Sequence, residues 1–234
     1  MKKISLLVVI LLAGCFAFAQ NPKVNWTDSL NHYFAVNSIV ALSSSLGYSA
    51  EDIEKAKSLP DSILNYTYKS SIIENDKAKG WIIRVHTAAM NTEAMRFTNM
   101  PSYWRPLVIP YKQGSVLMLR NFVSKFVYNT KTFESMKERA TYAVKSMFLP
   151  LIYNLVDEEI DVKSQYIGFT FFYSHKDFSE KYLPAAYGSI TIIVPTGELK
   201  KLQLFQTTDD DFLKQCDFYM KEKGGAVRFN YVLK

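Results

Sequence analysis

The first nineteen residues constrain where this chain can fold. The basic pair Lys2-Lys3 precedes an uncharged run, Ile4–Ala19, whose last triplet, Ala17-Phe18-Ala19, comes directly before the polar residue Gln20. A basic start, a short apolar core and an A-x-A site are typical of a secretory signal peptide. The run is also shorter than the stretch of about 20 apolar residues that spans a bilayer. The sequence therefore predicts export, cleavage between Ala19 and Gln20, and folding in the periplasm or the medium.

A second processing pattern overlaps the first. Leu12-Ala13-Gly14-Cys15 resembles the lipobox of bacterial lipoproteins, in which the cysteine is acylated and becomes the mature N-terminus. Cleavage there would leave the apolar residues Phe16–Ala19 on the mature chain, where a lipoprotein usually starts a polar tether. We therefore prefer cleavage after Ala19. The alternative is a membrane-anchored lipoprotein held by Cys15, and it is the one case in which we expect contact with a membrane.

Charge and cysteine content exclude several classes of protein. The chain has 28 Lys and Arg against 22 Asp and Glu, and two of the basic residues belong to the leader. Lysines alternate with acids and no block of five like charges occurs, so nucleic acid is not an expected partner. Once the leader is processed, Cys216 is the remaining free thiol, which rules out an intramolecular disulfide. We expect no cofactor and a fold stabilised by its apolar core.

Residue periodicity predicts an α+β fold, with residues 20–234 forming a single exported domain. N-terminal and central helices, at 27–58 and 114–156, are expected to pack on a mainly antiparallel sheet. Its strands are expected mostly in the C-terminal third, at 164–233, with a further hairpin at 66–87. Three prolines make residues 100–113 an irregular crossover inside this domain.

Particular patterns underlie these elements. The alternation in Trp81–Thr87 predicts the second strand of the hairpin, and the apolar positions of Val116–Phe126 recur at helical spacing. Thr132 is expected to cap the next helix, which should end before Pro150. In the last third, two β-rich segments predict strands, helices should start at Thr196 and Thr208, and residues 218–233 should form a terminal hairpin.

The candidate metal ligands do not form a recognisable motif. His32, His86 and His175 are at least 54 residues apart, so no local zinc pair exists. The three consecutive acids Asp209–Asp211 follow Thr208, which favours a helix N-cap over a calcium loop, because calcium ligands alternate along the chain. We expect no metal site.

Candidate catalytic groups are equally sparse. Asp157, Glu158, Glu159 and Asp161 could offer paired carboxylates, but a solvated acidic connector explains them more simply. Cys216 follows Phe212 and Leu213 at helical spacing, which favours a buried thiol over a nucleophile. The chain contains no GxSxG elbow, P-loop or GxGxxG motif. No catalytic residue is predicted.

The strongest sequence candidate for a binding surface is Tyr103-Trp104-Arg105. These three residue types dominate binding hot spots, and the following Pro106 stiffens the chain. In the alternative interpretation Trp104 fills the core beneath an irregular loop. The patterns together favour a non-enzymatic binding or assembly module of a bacterial envelope, whose partner is an envelope protein or a glycan. The alternatives are an exported hydrolase acting on glycan or peptide with carboxylates from distant positions, and a sensor or lipid-handling protein.

Overall fold

The computed structural model describes residues 76–96, 106–155, 160, 162–182, 186–222 and 225–229. The leader, its two processing sites, the helices predicted at 27–58 and the first strand of the predicted hairpin lie outside these residues. Within them, the chain has the order α1 (Asp76–Met90), β1 (Met95–Arg96), β2 (Leu107–Tyr111), β3 (Gly114–Asn129), α2 (Met136–Ala143), a π-helical turn (Val144–Phe148), α3 (Leu149–Tyr153), β4 (Tyr166–Lys176), β5 (Ala186–Pro195), α4 (Thr196–Gln203), α5 (Asp209–Lys214), β6 (Asp217–Glu222) and β7 (Gly225–Phe229).

The described strands form one mixed seven-stranded sheet. Its order is β1-β3-β4-β5-β6-β7, and β2 pairs with β3 in a hairpin beside β1. Strands β3 and β4 are parallel, whereas the other described pairs are antiparallel. The helical crossover through α2 and α3 separates β3 from β4, and a parallel pair requires such a connection. Helices plus a mixed sheet confirm the α+β class.

The hairpin strand predicted at Trp81–Thr87 is wrong, because these residues lie in helix α1. Trp81, Ile82, Val85 and Ala89 are buried on one side of that helix. The decisive residue is Ile83, which alternation places in the core but which is 61% exposed, while Ile82 is 6% exposed. The apolar residues of this segment fit both periods, and burial follows the helical one.

The helix predicted across Val116–Val127 is also wrong, because this segment is the long strand β3. Val116, Leu117, Met118 and Leu119 are four consecutive buried residues. A half-exposed helix would leave one of them facing solvent, whereas a strand between two packed layers buries both faces. The apolar residues of this segment are therefore spaced as in a helix, although the segment is a strand.

The central helix begins at a different cap from the one predicted. Thr132 lies in the preceding turn, and the N-cap is Ser135. The Ser135 hydroxyl accepts from the Glu138 backbone N–H at 3.1 Å, and the Glu138 carboxylate accepts from the Ser135 N–H at 2.8 Å. This reciprocal capping box starts α2 three residues later than expected.

Pro150 lies inside the helical segment instead of after it. Proline has no backbone N–H, and in an α-helix its ring clashes with the carbonyl four residues earlier. Directly before it, the chain widens into the π-helical turn, where the Leu149 N–H bonds to the Val144 carbonyl five residues back. The wider turn carries the helix past the proline and into α3, so the predicted stop is wrong.

The C-terminal third folds largely as predicted. Strands β4 and β5 contain the two β-rich segments, α4 begins at Thr196, and β6 and β7 form the terminal hairpin. Thr208 caps α5, as its spacing from the three acids indicates. Three strands lie outside this third. The irregular crossover predicted at 100–113 is wrong for Leu107–Tyr111, which form β2 and pair with β3, and β1 at Met95–Arg96 lies in a segment for which no element was predicted.

Both faces of the sheet carry buried apolar residues. The main core packs the helices on one face, where Phe148 lies 5.4 Å from Phe169 of β4 and 6.0 Å from Phe212 of α5, measured between ring centroids. The opposite face holds a smaller cluster formed by Ile109, Tyr111, Val116, Met118, Ile193 and Tyr219. No helix of the described residues is long and apolar enough to span a bilayer.

Candidate functional site

The binding surface predicted from sequence, Tyr103-Trp104-Arg105, lies outside the described residues and stays a prediction. The same applies to the processing residues Ala19, Gln20 and Cys15, and to the acidic residues 157–159 and 161. His32 also lies outside the described residues, whereas His86, His175, Cys216 and Asp209–Asp211 lie within them.

His86 and His175 lie on different elements. His86 is on α1, not on the strand predicted for it, and its ring stacks on Phe122 with centroids 5.5 Å apart. Burial lowers the pKa of His86 to about 4, so its imidazole is neutral at pH 7. The described residues contain no group of three or more His, Cys, Asp or Glu side chains that could hold a metal ion.

Cys216 and the acids Asp209–Asp211 have local structural partners. The Cys216 thiol packs against the main core and donates to the Phe212 carbonyl at 3.4 Å. Burial raises the pKa of Cys216 well above its ordinary value and keeps it a thiol. The Asp211 backbone N–H donates to the Thr208 hydroxyl at 3.2 Å, which is the N-cap contact.

A buried ion pair joins helix α2 to the end of β6. Arg139 donates to both carboxylate oxygens of Glu222, each at 2.8 Å, and also to the backbone carbonyls of Phe133 and Glu134. Tyr173 donates to the same carboxylate at 2.7 Å. Burial opposes ionisation of Glu222, but the hydrogen bonds from Arg139 and Tyr173 lower its pKa below the ordinary value. These contacts hold helix and sheet together.

The two acids of β6 cannot act as a glycosidase pair. Asp217 and Glu222 are the first and last residues of this strand. Five steps of about 3.3 Å separate their backbones by about 17 Å, and an odd number of steps places the side chains on opposite faces. Glycoside hydrolysis requires carboxyl groups about 5–9.5 Å apart.

The turn after α4 has a feature that the sequence analysis missed. The Phe205 N–H bonds to the Leu202 carbonyl at 3.0 Å, and the Gln206 N–H bonds to the Lys201 carbonyl at 2.8 Å. This pair of bonds is a Schellman motif, with Phe205 at the position where the backbone turns left-handed. Its φ is 55°, in a region where glycine is the usual residue.

The left-handed backbone of Phe205 costs conformational free energy, and burial of its ring does not offset that cost. The left-handed region costs a residue with a Cβ atom about 1–2 kcal/mol. A phenylalanine could offset that cost by filling the core, but Phe205 is 71% exposed and its neighbour Leu204 is 63% exposed. We name Leu204, Phe205 and Gln206 the Phe205 turn.

Lysines precede the Phe205 turn on the exposed side of α4. Lys200 and Lys201 are exposed and stand four and three residues before Leu204, which is the spacing of neighbours on one helix face. Lys201 pairs with Glu198 at 2.7 Å. The surface at the Phe205 turn therefore consists of two large apolar side chains, with lysine side chains on one side of them.

The sequence shows an unusual residue choice at the Phe205 turn once the end of α4 is known. A helix that ends in a Schellman motif usually has glycine or asparagine just past its last residue. Here the chain reads Leu202-Gln203-Leu204-Phe205-Gln206, without either residue. An exposed aromatic at that position departs from the usual residue choice at such a helix end.

Comparison with known proteins returns no match: no protein-family model, no curated protein and no solved structure matches this chain.

Proposed function

We propose that this chain is an exported protein of a bacterial envelope that acts as a binding or assembly module, and that the Phe205 turn contacts its partner. The observation that carries the proposal is a left-handed, 71% exposed Phe205 beside the exposed Leu204. Residues with a strained backbone cluster at functional sites. Glycine would adopt this backbone conformation at a lower free-energy cost. The presence of a phenyl ring instead supports a role in binding.

The expected partner is a protein with an apolar pocket. A rigid aromatic ring contributes a large contact area at a small loss of rotamer entropy, and burying it in a pocket is typical of a hot spot. Leu204 adds branched aliphatic surface, which favours a protein pocket over the flat face of a sugar. An acidic rim on the partner would complement Lys200.

Processing of the leader determines the compartment in which we propose that the protein acts. Cleavage between Ala19 and Gln20 would release the protein into the periplasm or the medium. Acylation of Cys15 would instead hold it at a membrane. Tyr103-Trp104-Arg105 remains a second proposed contact of the module, since its residue types are those of a hot spot.

Site-specific photo-crosslinking tests the proposal in the cells that make the protein. A photoreactive phenylalanine analogue replaces Phe205, and a matched variant carries it at Ile83, which is 61% exposed on α1. We expect a discrete protein adduct from position 205 that excess unlabelled protein competes away, and that Leu204→Ser weakens. The absence of an adduct at 205, or an equal adduct at 83, contradicts the proposal.

A further inference from the structure

The hairpin between β2 and β3 contains a second strained residue. Tyr111 pairs with Gly114, so the loop has two residues, Lys112 and Gln113. Lys112 has a φ of 50° at a position where glycine, asparagine or aspartate is usual. Lysine adopts this backbone conformation at a higher free-energy cost than glycine does. The contacts of the Lys112 side chain could offset that cost.

The ammonium group of Lys112 lies between aromatic rings and a carboxylate. Its Nζ is 5.2 Å from the ring centroid of Tyr111 and 5.6 Å from that of Tyr166, within the range of cation–π attraction. The two rings meet edge to face at 5.0 Å. The same Nζ donates to Asp217 Oδ2. We name Tyr111, Tyr166 and Asp217 the ammonium cage.

Hydrogen bonds orient the carboxylate of the ammonium cage. The Tyr111 hydroxyl donates to Asp217 Oδ2 at 2.6 Å and lies 3.2 Å from the Tyr219 hydroxyl. Burial, and then the bond to Asp217, raise the pKa of Tyr111 far above its ordinary value, so the phenol keeps its proton. Since Tyr111 uses that proton on Asp217, Tyr219 is the donor between the two phenols.

The occupant of the ammonium cage is less buried than its walls. The Lys112 side chain is 37% exposed, whereas Asp217 is 13% exposed and Tyr111 is fully buried. A flexible lysine at a hairpin tip can return to water, while the cage is held by sheet strands. The rigid part of this site is therefore the cage, and the movable part is the cation inside it.

We propose that the ammonium cage is a binding site for a ligand with a primary alkylammonium group, and that Lys112 occupies the site until such a ligand displaces it. Two ring faces attract any organic cation. Asp217 Oδ2 accepts hydrogen bonds, which a primary ammonium can donate and a quaternary one cannot. The cage therefore favours primary amines over quaternary ones of similar size.

Substitution of the internal occupant tests this site. Lys112→Gly removes the Lys112 ammonium group and places in the hairpin a residue suited to its φ, so the variant is expected to fold. n-Propylammonium is titrated while the aromatic NMR signals of the tyrosines are followed. We expect binding at least about tenfold tighter than to the wild type, because a tethered competitor acts at high effective concentration.

Three comparisons give the test its specificity. Tetramethylammonium should bind Lys112→Gly more weakly than n-propylammonium, and the double variant Lys112→Gly/Asp217→Asn should lose most of the affinity for n-propylammonium. Cosedimentation of Lys112→Gly with phosphatidylethanolamine vesicles, but not with phosphatidylcholine vesicles, would assign the ammonium to a lipid headgroup. Binding of n-propylammonium without cosedimentation would assign it to a soluble amine.

Two results would overturn the assignment. The first is a Lys112→Gly variant with an unchanged circular dichroism spectrum that shows no saturable response to n-propylammonium. The second is equal affinity in Lys112→Gly and in the double variant with Asp217→Asn, since the carboxylate would then take no part. A thermal melt of each variant establishes that the folded protein is being titrated.

Discussion

Replacing His86 with phenylalanine should remove much of the acid sensitivity of this fold. Burial lowers the pKa of His86 from 6.5 to about 4, so the folded state disfavours the proton that the unfolded chain takes up. A lowered pKa contributes stability above pH 6.5 that is lost as the pH falls towards 4. The full loss is about 3 kcal/mol, of which about 2 kcal/mol is lost by pH 5.

Phenylalanine is a suitable replacement because the imidazole already stacks on the ring of Phe122. An aromatic pair keeps that contact and cannot titrate, so the pH dependence contributed by His86 is removed. Urea unfolding of both proteins at pH 7.5, 6.5, 5.5 and 5 gives the difference at each pH.

The difference between the two proteins isolates His86 from the other titrating groups, His175 and Glu222 included. We expect the free energy of unfolding of the wild type to fall by about 2 kcal/mol more than that of His86→Phe between pH 7.5 and pH 5. Parallel pH profiles would refute the buried, neutral imidazole.

Three further predictions concern other residues. Arg139→Met should destabilise the fold by about 3–5 kcal/mol, because it leaves the buried carboxylate of Glu222 unpaired. Adding Glu222→Leu should recover most of that loss in urea unfolding. Additive losses would contradict the pairing. Cys216→Ser should cost about 1–2 kcal/mol without affecting binding, and rapid labelling of the native thiol would contradict its burial. Intact mass of the exported protein should place its N-terminus at Gln20, whereas a diacylglyceryl mass on Cys15 would establish the lipoprotein, and unprocessed protein would exclude both.

The elements that the sequence predicts well are those with strong local chemistry. Strands β4 and β5 are rich in β-branched and aromatic residues, and Thr208 precedes three acids that complement the N-terminus of α5. These signals depend on near neighbours in the chain. They hold regardless of what packs against the element.

The elements that fail are those whose environment is set at long range. Residues Val116–Leu119 of strand β3 are buried on both faces, so this apolar run carries no two-residue alternation, and an accidental helical spacing dominates. Helix α1 shows the reverse error, because Trp81, Ile83 and Val85 alternate while burial follows Ile82 instead of Ile83. Only the packed partner distinguishes the two periods.

The candidate sites lie beyond local sequence reasoning for a similar reason. Arg139 and Glu222 are 83 residues apart in sequence, and Lys112 and Asp217 are 105 apart. Neither pair has a spacing that marks it, because the sheet order brings the partners together. The Phe205 turn differs, since its missing glycine is visible in the sequence once the end of α4 is known.

Phe205→Gly, measured for both stability and partner association, tests whether the Phe205 ring serves binding. Glycine suits a φ of 55°, so urea unfolding should show a stabilisation of about 1 kcal/mol. The same variant should lose the complex that wild-type protein forms in the envelope, by about 2 kcal/mol or more, which is roughly a thirtyfold loss of affinity. We expect a more stable variant that no longer associates with the partner. An unchanged complex, or a fold weakened by the substitution, would contradict this expectation.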